Sequence, residues 1–221
     1  MEAIKELKKT VARLRSPGGC PWDQEQTHQS LALCLIEECC EVLDALDRKD
    51  MANLKEELGD VLLQVVMHAQ MAEEQGLFDL EQVAAGINQK LIRRHPHVFE
   101  GKPVADSAAV LEQWDAIKAA EKKASGVAGN ELFKDLPACL PALLFAREVF
   151  KQVDKKKLPA ADWIDAQKVA KKAEGLDEHQ AGKELFELTA ACRHSGIDPE
   201  SALRRYARAL MADVEKRVAD R

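Results

Sequence analysis

Between residues 2 and 15, apolar side chains recur three and four positions apart in EAIKELKKTVARLR, the spacing that gathers them on one face of a helix. The pattern stops at Ser16-Pro17-Gly18-Gly19, and a loop is predicted to continue through Cys20-Pro21-Trp22-Asp23. A second helix is predicted from Thr27 or Ser30, either of which can cap it, through LALCLIEECCEVLDAL to about Leu46. Asp47-Arg48-Lys49-Asp50 then reads as a turn. The third helix, from about Met51 to Gln75, contains VLLQVVMHAQM, which is apolar nearly all round and belongs at the centre of a bundle. Beyond Gly76, Asp79 and Gln82 have the spacing of a capping box, and Pro96 breaks the next helix after KLIRRH. Another helix is expected over about Ser107 to Lys123, carrying Trp114.

The segment KKASGVAGN, Lys122 to Asn130, is small, polar and glycine-containing, the composition of a linker. It divides the chain into a helical bundle over 1–123, a linker over 124–130 and a second helical part over 131–221. A length of 221 residues accommodates one domain or two small ones. Charged residues make up 32% and aromatics 5%, with Ala, Leu, Glu and Lys abundant, so the fold class expected is all-α.

Charge and cysteines narrow the chemistry. The net charge of -6 argues against a surface that grips nucleic acid or anionic membrane. No run of about 18 apolar residues occurs, and the first helix lacks a secretory apolar core, so a soluble, cytoplasmic protein is expected. Cys34, Cys39 and Cys40 lie inside one apolar helical run, where cysteine behaves as a small hydrophobe. No C-x-x-C pair has zinc spacing.

Two acidic pairs stand out. Glu38 and Glu41 are three apart on the second helix, and Glu57 and Asp60 are three apart on the third, so each pair shares a helical face. A short turn near Arg48 and Lys49 makes the helices antiparallel, and outward counting sets Glu41 level with Glu57 and Glu38 level with Asp60. Four anions bordering a buried face repel one another and lose hydration, so protons or cations must compensate. Hard oxygen ligands without His or Cys favour Mg2+, with Mn2+ an alternative. Because Mg2+ usually takes one or two carboxylates together with phosphates and water, four acids suggest more than one ion and a polyphosphate ligand. Taken alone, either pair in a chain with 38 acidic residues reads as well as a solvated face as it does as a metal site.

The chain resembles the MazG family of all-helical nucleoside triphosphate pyrophosphohydrolases. The matching pieces are CPWDQEQTHQSL, the E-E-x-x-E of Glu37, Glu38 and Glu41, the E-x-x-D of Glu57 and Asp60 in KEELGDVLLQVVMHA, then KLIRRHPHVF and a downstream EQW, together spanning about Gly19 to Lys123. The resemblance implies a four-helix, usually dimeric core whose Glu38, Glu41, Glu57 and Asp60 hold magnesium against a nucleoside triphosphate. It implies water attack on the α-phosphate, releasing monophosphate and pyrophosphate. Glu37 is a candidate general base, although its helical angle lies further from the core than that of Glu38 and suits an exposed role equally. The resemblance also places nucleotide contacts at Lys90, Arg93 and Arg94, a cationic stripe that the helix dipole alone would also favour. Trp22 and Trp114 are candidates to stack on the base.

The C-terminal part resembles a worn second copy. Setting GDVLLQVVMHA on GKELFELTAACRH puts Gly182 at Gly59, Lys183 at Asp60 and Gln180 at Glu57, while Gln167, Lys168 and Lys171 stand where the E-E-x-x-E falls. Such a copy has lost its carboxylates and is expected to be structural. Rival readings are a di-iron carboxylate bundle, which needs two E-x-x-H motifs where only Glu25 and His28 give one, and a non-enzymatic helical interaction module. No glycine-rich phosphate loop occurs.

Overall fold

The computed structural model describes residues 2–124 and 132–220, and among these it contains eleven helices and no strand. The chain divides into two compact units, Met1–Lys118 and Ala119–Arg221. The boundary falls inside a helix, ahead of the linker expected at 124–130; of that segment only Ala124, which ends this helix, lies within the described residues. No helix among the described residues is long and apolar enough to cross a membrane.

In the first unit α1 (Glu2–Arg15), α3 (Ala32–Asp47) and α5 (Leu80–Arg94) all pack on α4 (Met51–Glu74). The reason is in the sequence of α4, whose Val66, Met67, Ala69, Met71 and Ala72 are buried on more than one side of the helix. Val66, Met67 and Met71 meet Val11 of α1 and Leu31, with Leu7, Leu62, Leu63 and Leu80 packed around them. Each buried aliphatic side chain of this kind contributes roughly 1.5–3 kcal/mol. Arg15, its side chain 8% exposed, closes one end of the unit by pairing with Glu74 through two hydrogen bonds of 2.9 and 2.8 Å. It also donates to the carbonyls of Asp23 and Gln26, so α1, the end of α4 and the intervening loop are tied at one cation.

That loop differs from expectation. Pro21 starts a short helix, α2 (Pro21–Glu25), because proline fixes φ at a helical value and sacrifices no hydrogen bond in a first turn. The chain turns back over α1 at Gly19, where a Cβ would sit 2.1 Å from the Leu14 carbonyl oxygen, so only glycine fits. Neither Thr27 nor Ser30 caps α3. They bond each other's backbone amides, at 2.9 and 3.1 Å, in the turn before it, and buried Leu31 occupies the cap position. Pro96 does end α5, and it then opens a one-turn helix, α6 (Pro96–Phe99), before α7 (Ser107–Ala124).

In the second unit α8 (Ala142–Lys156) packs on α11 (Pro199–Ala219) around Phe133, Phe145, Val149, Val153, Ala207, Leu210 and Val214. Trp163 donates to Asp213 at 2.7 Å and accepts from the Tyr206 hydroxyl through its carbonyl at 2.7 Å. α9 (Ala166–Ala173) and α10 (Glu178–His194) bury no residue fully.

Candidate metal centre

The site begins with the turn between α3 and α4. Lys49 takes a left-handed conformation, φ 56°, which stops α3 after Arg48. Asp50 then accepts hydrogen bonds from the amides of Ala52 and Asn53, at 3.2 and 3.1 Å, and starts α4. With so short a connection α3 and α4 pack directly on each other, bringing three of the four acids together.

Carboxylate oxygens of Glu38, Glu41 and Glu57 lie within 4.8 Å of one another. Among the described residues this is the one trio of His, Cys, Asp or Glu side chains so arranged. Glu57 is buried, Glu38 half-buried and Glu41 exposed. Asp60 is half-buried and stands outside this trio, yet its charge acts on both Glu38 and Glu57. Glu37 is exposed and acts on Glu38 by charge alone.

The electrostatics record the crowding. Burial, followed by the charges of Asp60 and Glu57, pushes the Glu38 carboxyl above the usual glutamate range, while a hydrogen bond from Gln64 pulls it down. Burial also raises Glu57, and so does its hydrogen bond with Glu41, in which one carboxyl must keep its proton; the Asn53 amide, 3.0 Å from Glu57 Oε1, opposes the rise. A divalent cation would replace those retained protons, and the donors, all carboxylate oxygen, suit magnesium, manganese or calcium better than zinc.

The remaining candidates lie on other elements of the chain. Lys90 and Arg93 are exposed and Arg94 half-buried on α5. Trp22, on α2, is 58% exposed. Trp114, on α7, is half-buried and stands edge-on to His95 at a ring separation of 4.8 Å, while His97 meets Gln113 at 3.0 Å. In the second unit Lys168, Lys171 and Gln180 line one cleft together with Lys172 and Glu184, which pair at 2.6 Å, and Lys183 faces Glu187.

Two polar residues at the acids escaped the sequence reading. Asn53 is one helical turn before Glu57, and Gln64 one turn beyond Asp60, so the polar face of α4 extends past both acids. The signal was present as the lone polar residue in the apolar run Val61 to Met67. A third, the His28–His68 pair with Nδ1 atoms 2.7 Å apart, joins the turn before α3 to α4, and proximity in sequence could not have revealed it.

An all-α hairpin that concentrates carboxylates at one level defines a protein equipped to bind a divalent cation. Residues 26–99, which carry both acidic pairs, match the MazG nucleotide pyrophosphohydrolase domain. The chain is 41% identical over 225 aligned residues to the nucleoside triphosphate pyrophosphohydrolase/pyrophosphatase MazG of Thermotoga maritima, covering 96% of this chain and 84% of that one. It is 38% identical to the nucleoside triphosphate pyrophosphohydrolase of Escherichia coli K12, covering 93% and 83%. Over 72% of this chain and 47% of that protein it is 41% identical to the nucleoside triphosphate pyrophosphohydrolase of Mycobacterium tuberculosis. The chain belongs to the MazG nucleotide pyrophosphohydrolase family, and is accordingly an enzyme, a hydrolase.

Proposed function

We propose that this protein hydrolyses nucleoside and deoxynucleoside triphosphates to monophosphates and pyrophosphate, with magnesium held by Glu38, Glu41, Glu57 and Asp60. The observation that carries the reading is the convergence of Glu38, Glu41 and Glu57 within 4.8 Å inside the matched segment. Magnesium bound there supplies charge neutralisation for the α- and β-phosphates and lowers the pKa of water. Manganese meets the same donor preferences.

The residues divide the remaining work. Burial and neighbouring negative charge hold the Glu38 and Glu57 carboxyls above the usual glutamate range, so a cation binding there competes with protons. Glu37 is the candidate base for the water that attacks the α-phosphate. Lys90, Arg93 and Arg94 contact the phosphates, and Trp22 and Trp114 meet the base. The second unit is a worn copy of the first, with Lys168, Lys171 and Lys183 in place of carboxylates, and serves structure rather than chemistry.

The protein works in the cytoplasm as a homodimer. Leu33, Ile36, Cys40 and Leu43 support the assembly: they recur along α3 at the three-and-four spacing of a helix–helix seam, and all four are exposed in the single chain.

The decisive experiment incubates the protein with each common NTP and dNTP, with and without magnesium, and identifies the products. Monophosphate and pyrophosphate are expected; release of orthophosphate with a diphosphate nucleotide, or no turnover, overturns the proposal. Glu38→Ala and Asp60→Ala should abolish turnover with the helical circular dichroism intact.

A further inference from the structure

The buried wall of the acidic hairpin contains a polar group that the fold leaves unsatisfied. Gln64 is 6% exposed, and its Oε1 is buried without a hydrogen-bond partner. Glu57, Asp60 and Gln64 are spaced i, i+3 and i+7 on α4, one face of the helix, so the amide extends the line of acids by one turn. Its other end is engaged, because the Gln64 side chain donates to Glu38. An ionised carboxylate can only accept, so the amide must present its NH2 to Glu38, and this fixes Oε1 as the free acceptor.

A buried acceptor without a donor is costlier than an apolar side chain of the same length, and native interiors rarely keep one. Neighbouring positions of α4, from Val61 to Met67, are otherwise apolar, so a methionine would pack there with no penalty of this kind. The missing donor must therefore arrive with the ligand. Beside a carboxylate centre the donor of suitable size is water.

We propose that Gln64 holds the attacking water, its NH2 fixing the Glu38 carboxylate and its Oε1 accepting a hydrogen bond from the water that attacks the α-phosphate. The inference rests on the acidic site proposed above. The amide takes no proton. As the water oxygen bonds to the α-phosphorus, the bond from that phosphorus to the bridging oxygen breaks and its electron pair leaves with pyrophosphate. One water proton passes to a neighbouring carboxylate, and the other remains on the new monophosphate oxygen.

The test is Gln64→Met, with Gln64→Leu as a second variant, read by steady-state kinetics, Mn2+ binding followed by electron paramagnetic resonance, and thermal unfolding. Expected are a kcat loss of roughly 100-fold, the scale for misplacing a reacting group, an essentially unchanged KM, Mn2+ binding retained, and a Tm equal to or above that of the wild type. A kcat close to wild type in either variant overturns the proposal. So does loss of Mn2+ binding together with a lowered Tm, which would make Gln64 a structural residue. Failure of the underlying site is read separately: a Glu38→Gln variant that still binds Mn2+ as the wild type does would remove Glu38 from the centre, whatever Gln64→Met shows.

Discussion

Asn53 donates its side-chain amide to Glu57 over 3.0 Å, one turn away on α4. The contact favours the ionised carboxylate against burial and against the shared proton with Glu41. Asn53→Ala removes it while leaving the Asp50 cap, which binds the Asn53 backbone amide, in place. Glu57 then holds its proton to higher pH. The acid limb of kcat/KM should move upward in pH, with activity several-fold lower on that limb and little changed at the alkaline end; a superimposable pH profile would exclude the contact from tuning the site.

The raised carboxyls make a second prediction, about stability. Glu38 and Glu57 bind protons more tightly folded than unfolded, so their contribution to stability is greatest at low pH and falls as pH rises through the elevated range. In EDTA, Glu57→Gln should therefore raise Tm at pH 8 and change it little at pH 4. Magnesium should stabilise the wild type at pH 8 and narrow the gap, since it binds the ionised form. Calorimetry at both pH values, with and without magnesium, reads both effects.

His68 gives the opposite slope. Burial, then the charge of His28, lowers its pKa, so it resists protonation in the fold. The stability it contributes is complete above the ordinary value of about 6.5 and is lost as pH falls below it, because the unfolded chain takes up the proton more readily. The Nδ1–Nδ1 hydrogen bond to His28 at 2.7 Å, which requires one nitrogen without a proton, is lost with it. Replacing His68 by Gln should flatten Tm between about pH 5 and 6.5 relative to wild type, as thermal scans across that range would show.

The seam on α3 predicts an oligomer. Leu33 is 70% exposed and Leu43 60% in the single chain, a cost that pairing with a second copy removes. Light scattering of the wild type should give twice the chain mass at micromolar concentration. Ile36→Glu should shift it to monomer with the helices retained, and a monomeric wild type would end the dimer proposal.

The fold class and the acidic hairpin were legible because both depend on local pattern. The period of α4, the short turn at Arg48 and Lys49, and the equal distances of Glu38 and Asp60 from it are properties of consecutive residues. Pro21 reads as a loop residue because five residues carry too little periodicity to reveal α2. Thr27 and Ser30 both read as caps for α3, but burial of Leu31, a tertiary effect, sets the start of the helix. Gln64 is one polar letter in an apolar run, and its meaning depends on Glu38, which lies on another helix. The perpendicular contact of Trp114 with His95 at 4.8 Å is tertiary and has no signature in the sequence.

The turn at Lys49 also bears on how the chain folds. All four acids and the amides flanking them lie on a single pair of sequential helices, so the centre closes through a short loop and at small entropic cost. Local closure of this kind is expected to bring the carboxylates together early, ahead of the core contacts that would oppose their repulsion. A divalent cation would therefore act on the rate of folding as well as on the finished enzyme: refolding in magnesium should be faster than in EDTA, and the Glu57→Gln variant should fold at nearly the same rate in both.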